Sequence, residues 1–96
     1  MKMPGKINLY TIEYLPEVVK VDIPALPKTA KIMIKNAIEM RLTSDPIRLG
    51  KPLRYSLKGH RRLRVSDYRI IYRIDTLKNS VIIVAIKHRR YVYEDA

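Results

Sequence analysis

The chain has 96 residues, and 47% of them are apolar, enough for one modest core and too few for two. It has no cysteine, which excludes a disulfide framework and a zinc ribbon, and two histidines with nine carboxylates leave little from which to build a metal centre. Twenty Lys and Arg against nine acids give a net charge of +11, which points to a polyanionic partner.

In chain order, Ile7 to Tyr14 alternates β-forming residues and stops before Pro16, which predicts a first strand. Leu15, Val18, Val19, Ile23 and Leu26 then recur at helical spacing, while Pro24 and Pro27 keep that helix short. From Lys28, the positions Ala30, Met33, Ile34, Ala37, Ile38 and Leu42 make one apolar stripe until Asp45-Pro46. Arg41 falls inside the stripe, with its stem expected to pack and its head to reach water. A loop marked by Gly50 and Pro52 follows. Three strands are predicted after it, over Tyr55 to Val65, Tyr68 to Asp75 and Val81 to Lys87, with Ser66-Asp67 as a tight turn. The apolar run Val81 to Ile86 lacks alternation, which predicts a strand covered on both faces in the interior of the sheet. The expected architecture is α+β, with element order β-α-α-β-β-β, a small antiparallel sheet and both helices on one face. Residues 1–96 read as a single domain, without repeats or linker-like tracts. The longest apolar run is far below the ~20 residues of a membrane helix, and the chain reads as soluble, cytoplasmic and free of membrane partners.

Charge is concentrated in the second half. Residues 1–47 hold seven basic and five acidic side chains, and residues 48–96 hold thirteen and four. Between Arg48 and Arg73 there are nine basic residues, seven of them arginine, whose planar fork suits phosphate. Strand alternation puts His60, Arg62 and Arg64 on one face, and the next strand turns Arg69 and Arg73 to that same face. Four guanidiniums on one face repel one another unless an anion sits among them. The stretch Lys87-His88-Arg89-Arg90-Tyr91-Val92-Tyr93 adds rings that can stack bases beside charges that hold phosphates.

Three ordered blocks carry a resemblance: Gly50-Lys-Pro-Leu-Arg-Tyr-Ser-Leu-Lys-Gly59, Arg62-Leu-Arg-Val-Ser-Asp-Tyr-Arg-Ile-Ile-Tyr-Arg73 and Ala85-Ile-Lys-His-Arg-Arg-Tyr-Val-Tyr93. In these the chain resembles the RelE/ParE toxins of type II toxin-antitoxin pairs. The resemblance implies a small sheet backed by an N-terminal helical hairpin. RelE-type members cut messenger RNA in the ribosomal A site, whereas ParE-type members poison DNA gyrase. Fold alone does not separate the two. A plain basic nucleic-acid-binding accessory protein is a third possibility. Carried over by position, Arg69 and Arg89 would stabilise transition-state charge, Tyr93 would be the catalytic tyrosine, and the two strand lysines of RelE-type sites fall on His60 and Arg62.

Cleavage of RNA without a metal needs a base for the 2′-OH proton, a stabiliser of the phosphorane and an acid for the leaving oxygen. Arginine suits only the second role. With both lysines replaced, His60 and His88 become the candidate bases, with Lys58 and Lys51 in reserve. The expected catalytic set is His60, Arg62, Arg69, Arg89 and Tyr93, and the expected RNA contacts are Lys58, Arg61, Arg64, Arg73, His88, Arg90 and Tyr91, with no metal and no cofactor. Expected partners are the ribosome with its messenger RNA, and an acidic antitoxin that folds on binding. That antitoxin would cover the arginine face, the outer side of the helical hairpin around Ile32, or both.

Overall fold

A computed structural model describes residues 9–91 of the chain. Strand β1 (Thr11–Tyr14) is followed by a helical turn at Val18–Asp22, helix α1 (Lys28–Ala37) with a continuation at Ile38–Leu42, and a one-turn helix α2 (Pro46–Leu49). Strands β2 (Lys51–Pro52), β3 (Arg61–Val65), β4 (Tyr68–Asp75) and β5 (Ser80–His88) complete a five-stranded sheet in the order β1-β5-β4-β3-β2. The α+β class and the β3-β4-β5 meander are as expected from the sequence. The sheet is mixed, however, because β1 runs parallel to β5, with Thr11 opposite Ser80 and Tyr14 opposite Ile83. Strand β5 lies between β1 and β4 and is buried on both faces over most of its length.

Both predicted helices form, each with a widened turn. The Ile23 N–H donates to the Val18 carbonyl at 2.8 Å, an i→i+5 bond. This wider turn buries Val18 and Asp22 and rotates Val19 outward, against the 3.6-residue spacing assumed from sequence. A second widened turn extends α1, so the buried stripe runs Ala30, Ile34, Ala37, Ile38, Leu42. Arg41 is therefore exposed rather than packed in the stripe, and Met33 is largely turned out. The Thr43 hydroxyl donates to the Glu39 carbonyl and the Ser44 hydroxyl to that of Met40, which satisfies carbonyls left over at the helix end. Asp45 then caps α2: its carboxylate accepts from the Arg48 N–H and Nε, and Pro46 sits where a missing N–H costs nothing.

The strand expected from Tyr55 begins only at Arg61. Tyr55 (φ 57°) and Gly59 (φ 95°) lie in the left-handed region, and Tyr55–Leu57 forms a 3₁₀ turn. In place of that strand start, Lys51 and Pro52 form β2, pairing with Arg62 and Arg61 in what the sequence presents as a loop. Strand β1 covers Thr11–Tyr14, and the expected start at Ile7 lies outside the described residues.

The core lies between the helices and one sheet face. Val18, Ile34, Ile38 and Leu42 pack on Leu63, Val65, Ile70, Tyr72, Val81, Ile83 and Ile86, each large aliphatic contributing about 1.5–3 kcal/mol. Tyr72 is fully buried and donates its hydroxyl to the Pro46 carbonyl at 2.6 Å. Burial pushes its phenol above the ordinary value, with the nearby Arg61 guanidinium pulling the other way. The opposite sheet face is not wholly open: Leu53, Ile71 and Ala85 form a small second cluster with Leu57 and Val84, so the 53–60 segment folds over part of it.

Candidate nucleic-acid interface

The register of the sheet sorts the cations. Arg64 pairs with Arg69, and Arg69 pairs with Lys87, so three cations stand in one row across β3, β4 and β5. Their neighbours Leu63, Ile70 and Ile86 belong to the core, so alternation turns this row to the far face. Like charges directly opposite each other on a sheet are destabilising. The surroundings relieve part of that cost. The Lys87 ammonium reaches Asp22 Oδ1 at 3.0 Å, and Arg69 donates to the Arg89 carbonyl at 3.4 Å. Arg64 is exposed and has no acidic partner among the described residues. Arg62 stands in the next row, opposite Ile71.

Asp22 fixes one end of the row. It is buried, and Oδ2 accepts the Ile86 N–H at 2.8 Å while Oδ1 holds Lys87, so the carboxylate continues alongside β5 where β1 has ended. Just past β5 the Arg89 N–H donates to the Asp67 carbonyl at 2.6 Å, which ties the residues after the strand to the β3–β4 turn. The Arg89 guanidinium lies 3.7 Å from the Asp67 carboxylate, and both groups are more than half exposed, so this pair contributes little.

Several expected residues stand elsewhere. Arg61, grouped with the RNA contacts from sequence, points to the helical side and donates to the carbonyls of Ile47 and Gly50, where it clamps α2 onto the sheet. His88 also faces the helical side, in an edge-to-face contact with Tyr68 (centroids 5.2 Å apart, planes at 81°), and its Nδ1 accepts the Arg90 N–H at 3.2 Å. It is thus separated from the arginine row by the sheet. A bulge is responsible: Ile71 pairs with Ala85 and Tyr72 with Ile83, which leaves Val84 as an extra residue. Past it, Ala85 and Lys87 take the far face and Ile86 and His88 the core face. Lys87, named from sequence only as the start of the Lys87–Tyr93 stretch, reaches the row through this bulge, since unbroken alternation from Val81 and Ile83 turns that position inward.

Arg73 is exposed four residues along β4 from Arg69, a strand distance of about 13 Å. His60 is half-buried just before β3, with Nδ1 buried and lacking a hydrogen-bond partner among the described residues. Lys58, Arg90 and Tyr91 are exposed, Tyr91 beside His88 in a groove that also includes Val21 and Asp22. Tyr93 lies outside the described residues. Among the described residues no group of three or more His, Cys, Asp or Glu could hold a metal ion, and no helix is long and apolar enough to cross a membrane.

Residues 20–93, which contain most of the helical layer, the meander and the whole cation row, match the profile of the family described as the ParE toxin of type II toxin-antitoxin system, parDE. The chain belongs to the RelE/ParE superfamily of type II toxins. Toxin RelG of Mycobacterium tuberculosis is 42% identical to this toxin over 52 residues, a stretch covering 54% of this chain and 60% of RelG. Toxin RelE of the same organism is 36% identical over 72 residues, covering 75% of this chain and 74% of that protein. The toxin-antitoxin complex RelBE2, also from Mycobacterium tuberculosis, contains a chain that superimposes with a TM-score of 0.81 at 31% identity, covering 90% of this toxin and 98% of that chain.

Gly50, which opens the first of the three sequence blocks, has a structural reason in this toxin. A Cβ there would lie 1.8 Å from the Tyr72 hydroxyl, so the chain passes the buried phenol only without a side chain.

Proposed function

We propose that this toxin arrests translation by cutting messenger RNA in the ribosomal A site, that residues 1–96 act as one domain in the cytoplasm, and that an acidic antitoxin holds it inactive. The row Arg64, Arg69, Lys87 carries the reading, because a fold places like charges opposite one another at a cost that a bound polyanion reverses. The curated relatives named RelE and RelG support it further.

In this mechanism Arg69 and Arg89 stabilise the charge of the pentacovalent phosphorane, with Arg69 braced on the Arg89 carbonyl. His60 takes the 2′-OH proton, Arg62 steadies the phosphate beside it, and Tyr93 assists at the leaving 5′ oxygen, giving a 2′,3′-cyclic phosphate. Arg64, Arg73 and Lys58 anchor flanking phosphates. Few acid–base groups act here, so free RNA is a poor substrate and the ribosome supplies the positioning. Expression without antitoxin is expected to stop protein synthesis within minutes in pulse labelling. The matching family profile is that of ParE toxins, which makes gyrase the rival target. Continued protein synthesis with halted DNA synthesis and gyrase-linked breaks would replace the nuclease reading with that one.

The relative crystallised as RelBE2 is a toxin–antitoxin complex, and by that likeness an antitoxin binds here too. Two surfaces suit an acidic amphipathic segment: the cation row, and the outer side of α1 and its continuation, where Ile32, Met33 and Met40 are exposed near Lys28, Lys35 and Asn36. Burying a single isoleucine gives only about 1.5–3 kcal/mol, so lasting inhibition needs both. Hydrogen exchange on the complex is expected to protect α1 together with β3 and β4. Protection confined to the helices would rule out direct masking of the arginines.

A further inference from the structure

Tyr55 is an outlier on three counts. It is 72% exposed, its backbone sits at φ 57°, and no step of the mechanism above uses it. A bulky aromatic rarely adopts that region, and such strain persists only where the surroundings impose it. Here they do. Leu53 and Leu57, on either side, are anchored in the cluster with Ile71 and Ala85 on the cation-bearing sheet face. Four backbone bonds close the segment: Leu53 N–H to the His60 carbonyl, Leu57 to Arg54, Lys58 to Tyr55 and His60 to Leu57, all between 2.9 and 3.0 Å. A closed turn anchored by Leu53 and Leu57 on the face that carries Arg62 and Arg69 therefore presents an exposed ring, with exposed Lys51, Arg54 and Lys58 within four residues of it in the chain.

An exposed ring among cations suits a stacked nucleobase, because every base has a π-face and the surrounding charges hold its backbone. A pre-set ring also loses little freedom on binding. We infer that Tyr55 is a base-stacking contact for single-stranded RNA, engaging a nucleotide beside those whose phosphates lie on the arginine face. The inference rests on the RNA-cutting reading above and adds a residue that recognises bases rather than phosphates.

The test uses the full chain and two fluorescent probes, an oligoadenylate RNA and an abasic ribose-phosphate strand of equal length. Tyr55→Ala is expected to weaken binding to oligoadenylate by about five- to 150-fold, the range for losing one base–aromatic stack. Tyr55→Phe should stay within about twofold of the wild type, since the ring and not the hydroxyl stacks. On the abasic strand all three proteins should bind alike, and the salt dependence should be unchanged because no charge is removed. Tyr55→Gly should have a melting temperature equal to or above that of the wild type, which separates lost stacking from lost folding. If the wild type binds oligoadenylate and cuts ribosome-bound messenger while Tyr55→Ala matches it, stacking is overturned and the nuclease reading stands. A wild type that neither binds RNA nor cuts overturns both. Unchanged RNA affinity with weakened antitoxin capture assigns the ring to a protein interface and overturns the inference.

Discussion

Arg69→Ala is expected to slow single-turnover cleavage of ribosome-bound messenger by about a hundredfold or more, the loss typical of one preorganised donor to a developing oxyanion. The expectation follows from its position. Arg69 is the middle cation of the row, flanked by Arg64 and Lys87, half-buried, and braced on the backbone of Arg89. A donor held in advance needs no reorganisation as charge develops, so its removal falls on the rate more than on binding. Arg89→Ala should behave in the same way. Arg64 offers the contrast, as an exposed cation without an acidic partner among the described residues. Arg64→Ala should weaken ribosome binding and reduce the slope of affinity against salt by about one, with cleavage once bound little changed. Equal losses of affinity in all three variants, with unchanged cleavage of bound messenger, would remove the distinction between catalytic and anchoring arginines.

Gly50→Ala is expected to destabilise the toxin by about 3 kcal/mol or more, from overpacking together with a broken buried hydrogen bond. Its Cβ would meet Tyr72 at the hydroxyl (1.8 Å) and at Cζ (2.7 Å), and Tyr72 is fully buried, so the ring has nowhere to retreat. Displacing it breaks the bond to the Pro46 carbonyl and loosens α2 beside the Arg61 clamp. In a domain of this size the melting temperature should fall by upwards of about 10 °C. Tyr72→Phe alone should cost about 1–3 kcal/mol, by leaving that carbonyl unsatisfied. Combining the two should give less than the sum, since both act on the same contact. A Gly50→Ala protein melting within a few degrees of the wild type would show that the ring and α2 can shift together at little cost.

The parts of the fold that follow strict periods were legible in the sequence. The α1 stripe, the Ser66–Asp67 turn and the alternating faces of β3 and β4 are each encoded by local spacing, and Arg64 and Arg69 were correctly set on one face. What escaped is what breaks a period. The Val84 bulge lies in a run where every residue is apolar, so no polar neighbour betrays the extra position, and one inserted residue exchanges the faces of Lys87 and His88. The two widened helical turns displaced Val19 and Arg41 in the same way. Arg61 escaped for another reason. Its place on the helical side of β3 followed from alternation, but its partners are carbonyls of Ile47 and Gly50, and backbone acceptors leave no trace in side-chain chemistry. The parallel pairing of β1 with β5 is a long-range choice that no local pattern records.

That parallel pair also sets an order of events during synthesis. Among the described residues β1 has one strand partner, made about seventy residues after it, so their pairing is a long-range contact of the kind that forms slowly. Helix α1 likewise has its apolar stripe waiting for Leu63, Ile70, Val81 and Ile83, all of which emerge after it. The finished cation row needs β5 in place, because Lys87 and the Asp22 carboxylate that steadies it come from opposite ends of the described chain. A growing polypeptide therefore cannot complete the cation row until β5 has been made, because Lys87 is part of it.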